Sequence, residues 1–183
     1  MKRLLSKLIF KINGWNIIGV STYPEKCIVL TAPHTSKWDF FIGRCYAYII
    51  DIKPKYLTKS ELFLPVLGTL IKWNGGIPVF RKAKHNVVDQ VVEMINSSNA
   101  IIIGIAPEAT RTKVKKWKTG FYHIAVKANV PILLLKMDYE TKEVGVICVF
   151  MPCGDFEKDM LFIQEQYKGV KGKIPENYNP EIF

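Results

Sequence analysis

Residues 100–106, Ala-Ile-Ile-Ile-Gly-Ile-Ala, run without a charge between Asn99 and Pro107. A run this short and this apolar fits a strand covered on both faces, which needs helices on either side of a sheet. The flanking sequence supplies them. Residues 84–96 place Val87, Val88, Val91, Val92 and Ile95 on one helical face, and residues 121–128 also read as helix. The alternation extends both ways. Strand-like runs fall at 15–20, 26–31, 55–58 and 77–80, then at 131–137 and 143–150, these two joined by the polar turn 138–142. From Ser36 to the stop at Pro54, Phe40, Phe41, Cys45, Tyr48, Ile49 and Ile52 form a broad apolar helical face. Residues 60–73 read as loop and helix, 157–167 as helix, and a Pro/Asn/Gly-rich tail closes the chain. Strands alternating with helices predict an α/β single domain, a sheet flanked by helices. Its 183 residues suit one domain.

Residues 1–14 stand apart as a basic amphipathic helix ahead of the domain at 15–183. Leu4, Leu5, Leu8, Ile9 and Ile12 recur at helical spacing among Lys2, Arg3, Lys7 and Lys11, and the first acid is Glu25. Two readings stand: docking on an anionic membrane surface, or a terminal helix packed on the domain. The segment has no small-residue cleavage site and does not read as a signal peptide. Continuous apolar runs fall far short of the ~18–20 residues that span a bilayer. The chain carries 26 Lys+Arg against 16 Asp+Glu, a formal charge of +10, which favours anionic partners. Cys27, Cys45, Cys148 and Cys153 form no CxxC pair and read as reduced thiols, and with three histidines they do not make a zinc set.

Three loops follow strand ends, where α/β folds place their chemistry. In the first, 33–39, Asp39 comes five residues after His34. In a continuous helix that is ~500° of rotation, and the side chains would diverge. They meet only if His34 lies in the loop and the chain turns at Ser36. The carboxylate would then fix one imidazole tautomer and leave the other ring nitrogen to take a proton from a hydroxyl. Ser36-x-x-Asp39 also reads as a capping box, so the spacing leaves both roles open. No serine or cysteine is placed as a nucleophile beside the pair, which points to direct attack by a substrate hydroxyl. In the second loop, Gly75 and Gly76 allow a sharp turn or close ligand approach, and Arg81 is either a phosphate-binding fork or a surface arginine. In the third, Glu108 and Arg111 lead into Arg111, Lys113, Lys115, Lys116 and Lys118, five cations in eight residues with no acid. Trp117 among them reads as packing the loop down or sitting at a membrane interface, with stacking on a nucleic-acid base as the alternative. His85 reads as solvent-facing and His123 as a structural histidine.

Together, in this order, the loops resemble the glycerolipid acyltransferases, the 1-acylglycerol-3-phosphate acyltransferase family. His34-Thr-Ser-Lys-Trp-Asp39 is similar to the family's His-x4-Asp block. Gly76-Ile-Pro-Val-Phe-Arg81 resembles the second block, Pro107-Glu-Ala-Thr-Arg111 the third, and Val130-Pro-Ile132 the fourth. The resemblance implies a mixed, mostly parallel sheet of the glycerol-phosphate acyltransferase type. It implies that His34, oriented by Asp39, deprotonates the hydroxyl of a lysophosphatidate-like acceptor, which attacks the thioester of acyl-CoA or acyl-carrier protein. Arg81, with Gly76 at its block's start, would hold the acceptor's anionic head group. Glu108, Arg111 and Lys118 would complete the acceptor wall. No metal or redox cofactor is implied, and no nucleic-acid partner is expected. Ala109 stands where the family's third block has glycine, so the turn there is expected to differ, and with it acceptor geometry. The alternatives are the same chemistry on another lysolipid, such as an amino-acid-derived one, or a non-catalytic basic adaptor binding anionic membrane or nucleic acid. The expected setting is cytoplasmic, peripheral on the inner face of the membrane, with Lys37-Trp38 suited to a lipid interface.

Overall fold

The computed structural model describes residues 1–20, 22–80 and 86–183. Its strands are β1 (Asn16–Gly19), β2 (Lys26–Ala32), β3 (Lys55–Lys59), β4 (Gly76–Val79), β5 (Ile101–Ile105), β6 (Ile132–Asp138) and β7 (Glu143–Phe150). Its helices are α1 (Lys2–Asn13), α2 (Lys37–Ile49), α3 (Pro65–Trp73), α4 (Val87–Ser97), α5 (Gly120–Ala128) and α6 (Phe156–Gln166). The strands form one sheet in the order β1-β7-β6-β2-β5-β3-β4. Every pair is parallel except the β6–β7 hairpin. The α/β fold with a mixed, mostly parallel sheet is therefore as the sequence predicts.

The period of two along each strand sends alternate side chains to two separate cores. On one face Ile28, Leu30, Ile103, Ile132 and Leu134 pack against α4, α5 and α6 through Val91, Ile95, Phe121, Ile124, Met160 and Ile163. On the other, Cys27, Val29, Leu133 and Leu135 meet Phe10 of α1, Trp15, and Ile42, Cys45 and Tyr46 of α2. Cys27 and Cys45 are buried free thiols, as expected. α1 lies against α2 with Ser6 and Phe10 buried, while Leu4, Leu5, Leu8 and Ile12 stay exposed.

Some local expectations change. The strand at 15–20 shortens to β1 because Trp15 is drawn into the core beneath α1. The helix expected from residue 84 is described from Val87, with Asn86 capping it through a bond from the Asp89 N–H. The buried side of α2 is Ile42, Cys45, Tyr46 and Ala47 rather than the Phe40–Phe41 stripe. Phe40 packs edge-on against Tyr56 and Phe41 against Trp38, and Trp38, Phe40 and Phe41 remain exposed. β5 is fully covered only at Ile101 and Ile103, and Gly104 and Ile105 border open space. His123 is exposed and stacks on Phe156 instead of serving the core. Trp117 does pack the third loop down, buried edge-on against Tyr167. His85 lies outside the described residues.

That open space follows from the register. β2 and β5 pair over five residues, from Lys26 opposite Ile101 to Leu30 opposite Ile105. β3 pairs with β5 only at Lys55–Ile103 and Tyr56–Gly104. Beyond Tyr56 the two strands part, and a cleft opens between the β2–β5 half of the sheet and the β3–β4 edge.

Candidate active site

The cleft measures about 1290 Å³ and is lined by residues from both faces of the sheet. His34 and Asp39 border it at the carboxyl end of β2. The chain leaves β2 through a cis peptide between Ala32 and Pro33, and α2 begins only after Ser36. His34 thus lies in the loop, the one place from which it can reach a residue five positions on. Its Nδ1 is 3.1 Å from Asp39 Oδ2.

Both roles left open for Asp39 are filled at once. Asp39 completes the capping box with Ser36, accepting the Ser36 N–H at 2.7 Å. The same oxygen accepts the Thr35 N–H at 2.7 Å and faces the imidazole. Its other oxygen, Oδ1, accepts the Tyr139 hydroxyl at 2.7 Å. Burial alone would raise the Asp39 pKa, but the bonds from His34, Tyr139, Ser36 and Thr35 outweigh it and hold the carboxyl below its usual range. Burial and the adjacent carboxylate push the Tyr139 phenol up, so it stays a donor. An ionised Asp39 can only accept, so the proton of the imidazole sits on Nδ1 and Nε2 is left as the base. The His34 side chain keeps 22% of its surface exposed, against 1% for Asp39.

The third loop meets the first directly. Glu108 Oε1 accepts the His34 backbone N–H at 2.9 Å, and Oε2 is buried without a partner. Burial raises the Glu108 pKa against the opposing pull of that bond. Ala109 adopts φ 54°, so the glycine-like turn is kept with an alanine in it. The stability cost falls on the residue instead of on the shape of the loop. The loop is closed by the Lys118 N–H on Pro107 O at 2.8 Å. Arg111 and Lys118 are exposed and line the cleft together with His34, Asp39 and Glu108. Gly76 is not brought there. It opens β4 opposite Tyr56, and a Cβ on it would run into the Ile71 side chain, so its small size serves packing. Arg81 lies outside the described residues.

Sequence reasoning missed what holds the dyad from behind. Tyr139 lies 100 residues from Asp39, at the tip of the β6–β7 hairpin, and no local pattern marks it. The tail passes close to the dyad loop. Ile174 N–H donates to Thr35 Oγ1 at 3.2 Å, Tyr139 N–H donates to Lys171 O at 2.9 Å, and a Cβ on Gly172 would sit 2.7 Å from Thr35. Tyr167, fully buried, donates to Leu30 O at 2.7 Å.

Comparison with known proteins agrees with this geometry. The chain is 35% identical over 81 residues to the 1-acyl-sn-glycerol-3-phosphate acyltransferase of Haemophilus influenzae, covering 41% of this chain and 33% of that one. It is 31% identical over 80 residues to the Escherichia coli enzyme of the same name, with the same coverage. The matches thus span about a third of the length of those relatives. The fold is shared with the crystal structure of the 1-acyl-sn-glycerophosphate (LPA) acyltransferase PlsC of Thermotoga maritima, with a TM-score of 0.63 at 19% identity over 91% of this chain and 75% of that one. The model of the Acyltransferase family matches residues 16–136, taking in β1 through most of β6 and the whole of the His34–Asp39 and Glu108–Arg111 loops. The chain belongs to the acyltransferase family.

Proposed function

We propose that the protein is an O-acyltransferase that moves a fatty acyl group from acyl-CoA or acyl-carrier protein to the hydroxyl of a lysophosphatidate-like lipid. The observation that carries this is the His34–Asp39 pair, with Nδ1 fixed and Nε2 free at the edge of a large cleft. His34 Nε2 takes the proton of the acceptor hydroxyl as its oxygen attacks the thioester carbonyl. Asp39 stabilises the imidazolium that forms. The tetrahedral oxyanion collapses, the carbon–sulfur bond breaks, and the thiolate takes the proton back from His34. The products are an ester and a free thiol. Glu108 braces the His34 backbone from behind, and Arg111 and Lys118 supply positive charge at the rim for an anionic head group. Arg81, at the end of the second block, takes the head-group phosphate in this reading.

The acceptor is delivered from an anionic membrane face. No helix among the described residues is long and apolar enough to cross a membrane. Instead α1 exposes Leu4 and Leu8 and α3 exposes Leu70 and Trp73, and Lys2 Nζ of α1 lies 3.9 Å over the Trp73 ring. Cations beside exposed apolar groups suit a negative lipid surface. Leu62, exposed just before α3, also lines the cleft and joins the two.

The test is to supply acyl-CoA or acyl-carrier protein with lysophosphatidate and identify the lipid product by mass spectrometry. Diacylated phosphatidate is expected, and more of it with anionic vesicles than with neutral ones. A panel of lysolipids that yields no diacylated product would refute the reading.

A further inference from the structure

Arg44 takes no part in the chemistry above, yet its surroundings are unfinished. It sits on the stripe of α2 that borders the cleft, with Phe40, Gly43 and Ala47. Five residues separate it from Asp39, a rise of about 7.5 Å along the helix. Among the described residues its guanidinium has only long bonds to neutral oxygens: Nη1 to Pro54 O at 3.3 Å and Nη2 to the Tyr48 hydroxyl at 3.4 Å. Nε is buried and donates to nothing. Among the described residues no carboxylate forms an ion pair with it.

A second cation strengthens the positive field. The Arg44 guanidinium carbon is 5.1 Å from the Tyr48 ring centroid, and Lys2 Nζ is 5.3 Å from it. The Arg44 hydrogen bond, with the charges of Arg44 and Lys2, holds the Tyr48 phenol below its usual range. A guanidinium with an unmet buried N–H and no counter-charge is costly beside apolar walls, and an anion with two oxygens would satisfy it.

The two sides of the cleft therefore differ in what they accept. Toward α4 and α5 the lining is Leu57, Val88, Ile105, Phe121 and Ile124, fit for an alkyl chain. Toward α2 the wall carries a charge that an alkyl chain would leave stranded. We propose that Arg44 binds the phosphate or carboxylate of the lysolipid acceptor's head group, about one and a half helical turns from the dyad. The proposal rests on the acyl-transfer reading and adds an anion site on the α2 side to the positive rim formed by Arg111 and Lys118. A planar fork can meet both oxygens of such a group, which a lysine cannot do.

The experiment is steady-state kinetics of Arg44→Gln and Arg44→Lys with three acceptors: lysophosphatidate, a carboxylate-bearing N-acyl amino-acid lysolipid, and uncharged monoacylglycerol. For the acceptor whose anion fits, Arg44→Gln raises KM at least tenfold, with kcat and the acyl-CoA KM within twofold. Arg44→Lys recovers part of the loss, and the monoacylglycerol KM stays put. Which of the two charged acceptors responds identifies the anion. An unchanged KM for both, an equal rise for the uncharged acceptor, or a rise confined to acyl-CoA overturns the proposal. If no acceptor releases thiol, the acyl-transfer reading fails on its own account. Arg44 is then read by equilibrium binding of the two charged lysolipids. A tenfold loss in Arg44→Gln for either supports the site, and equal affinity for both refutes it. Arg44→Met, which keeps the aliphatic stem, replaces the glutamine variant should that one not fold.

Discussion

The loops after β2 and β5 lie side by side and share one hydrogen bond, from the His34 N–H to Glu108, but they are built differently. In the first, both oxygens of Asp39 are committed: Oδ2 to His34, Thr35 and Ser36, and Oδ1 to Tyr139. In the second, Glu108 Oε2 is buried and unmet, Ala109 is held at φ 54°, and Arg111 and Lys118 stand exposed. The contrast separates two tasks. A base must be aimed before the substrate arrives, so its partners are all internal. A surface that receives a charged head group keeps its cations free until the ligand brings the counter-charge.

The contrast can be broken most sharply at its tight end. Asp39→Asn removes the negative charge that fixes the Nδ1–H tautomer, and kcat is expected to fall about 10²–10⁴-fold. A fall of less than tenfold, with the fold intact by circular dichroism, would mean that the imidazole is not steered from residue 39. Tyr139→Phe keeps the ring against Trp15, 5.0 Å away, and deletes only the hydroxyl. It is expected to lower kcat about tenfold, some 1.4 kcal/mol, with acceptor KM unchanged. The Asp39 carboxyl loses one of the bonds that depress its pKa, so its titration midpoint, followed by ¹³C NMR, should rise. A purely packing role for Tyr139 would leave that midpoint where it is.

The loose end should respond in stability before it responds in rate. Glycine accepts φ > 0 without the alanine cost, so Ala109→Gly should stabilise the protein by about 1 kcal/mol in denaturant melts, with kcat/KM little changed. A loss of stability would show that the Ala109 methyl makes contacts that offset its strain. Glu108→Gln gives the smallest effect and a pH signature. Burial raises the Glu108 pKa in the fold, so its ionised form costs stability above the ordinary carboxylate range and costs nothing below it. The glutamine variant should match or exceed the wild type in thermal stability at neutral pH, and the difference should close as pH falls through that range. A difference that widens toward acid would mean that the buried carboxylate is stabilised by its surroundings.

The same two loops show how much of the site the sequence carries. The His34–Asp39 pairing is local, because five residues and a helix start determine whether the side chains meet. Asp39 proved to be cap and partner together, so the capping signal was not evidence against the pairing. The α/β alternation and the antiparallel 131–150 hairpin are written in short-range periodicity, and those elements stand as expected. What the sequence hides is long-range. Tyr139 reaches Asp39 across the sheet, and the tail reaches Thr35 from residues 172–174, with nothing local to announce either. α2 misleads in another way. Its apolar residues serve the core, the cleft and the surface together, and periodicity cannot say which apolar side faces which. Gly76 misleads through its neighbour, since a glycine that yields to the Ile71 side chain looks in sequence like one that yields to a ligand.

Release of free thiol from acyl-CoA, followed with and without a lysolipid acceptor in wild type and His34→Ala, tests the central claim most directly. Thiol should appear only when acceptor and His34 are both present, with the variant down by about 10²–10⁴-fold. Thiol released at the wild-type rate by His34→Ala, or a stoichiometric burst of thiol without any acceptor, would contradict direct attack by a hydroxyl that His34 activates.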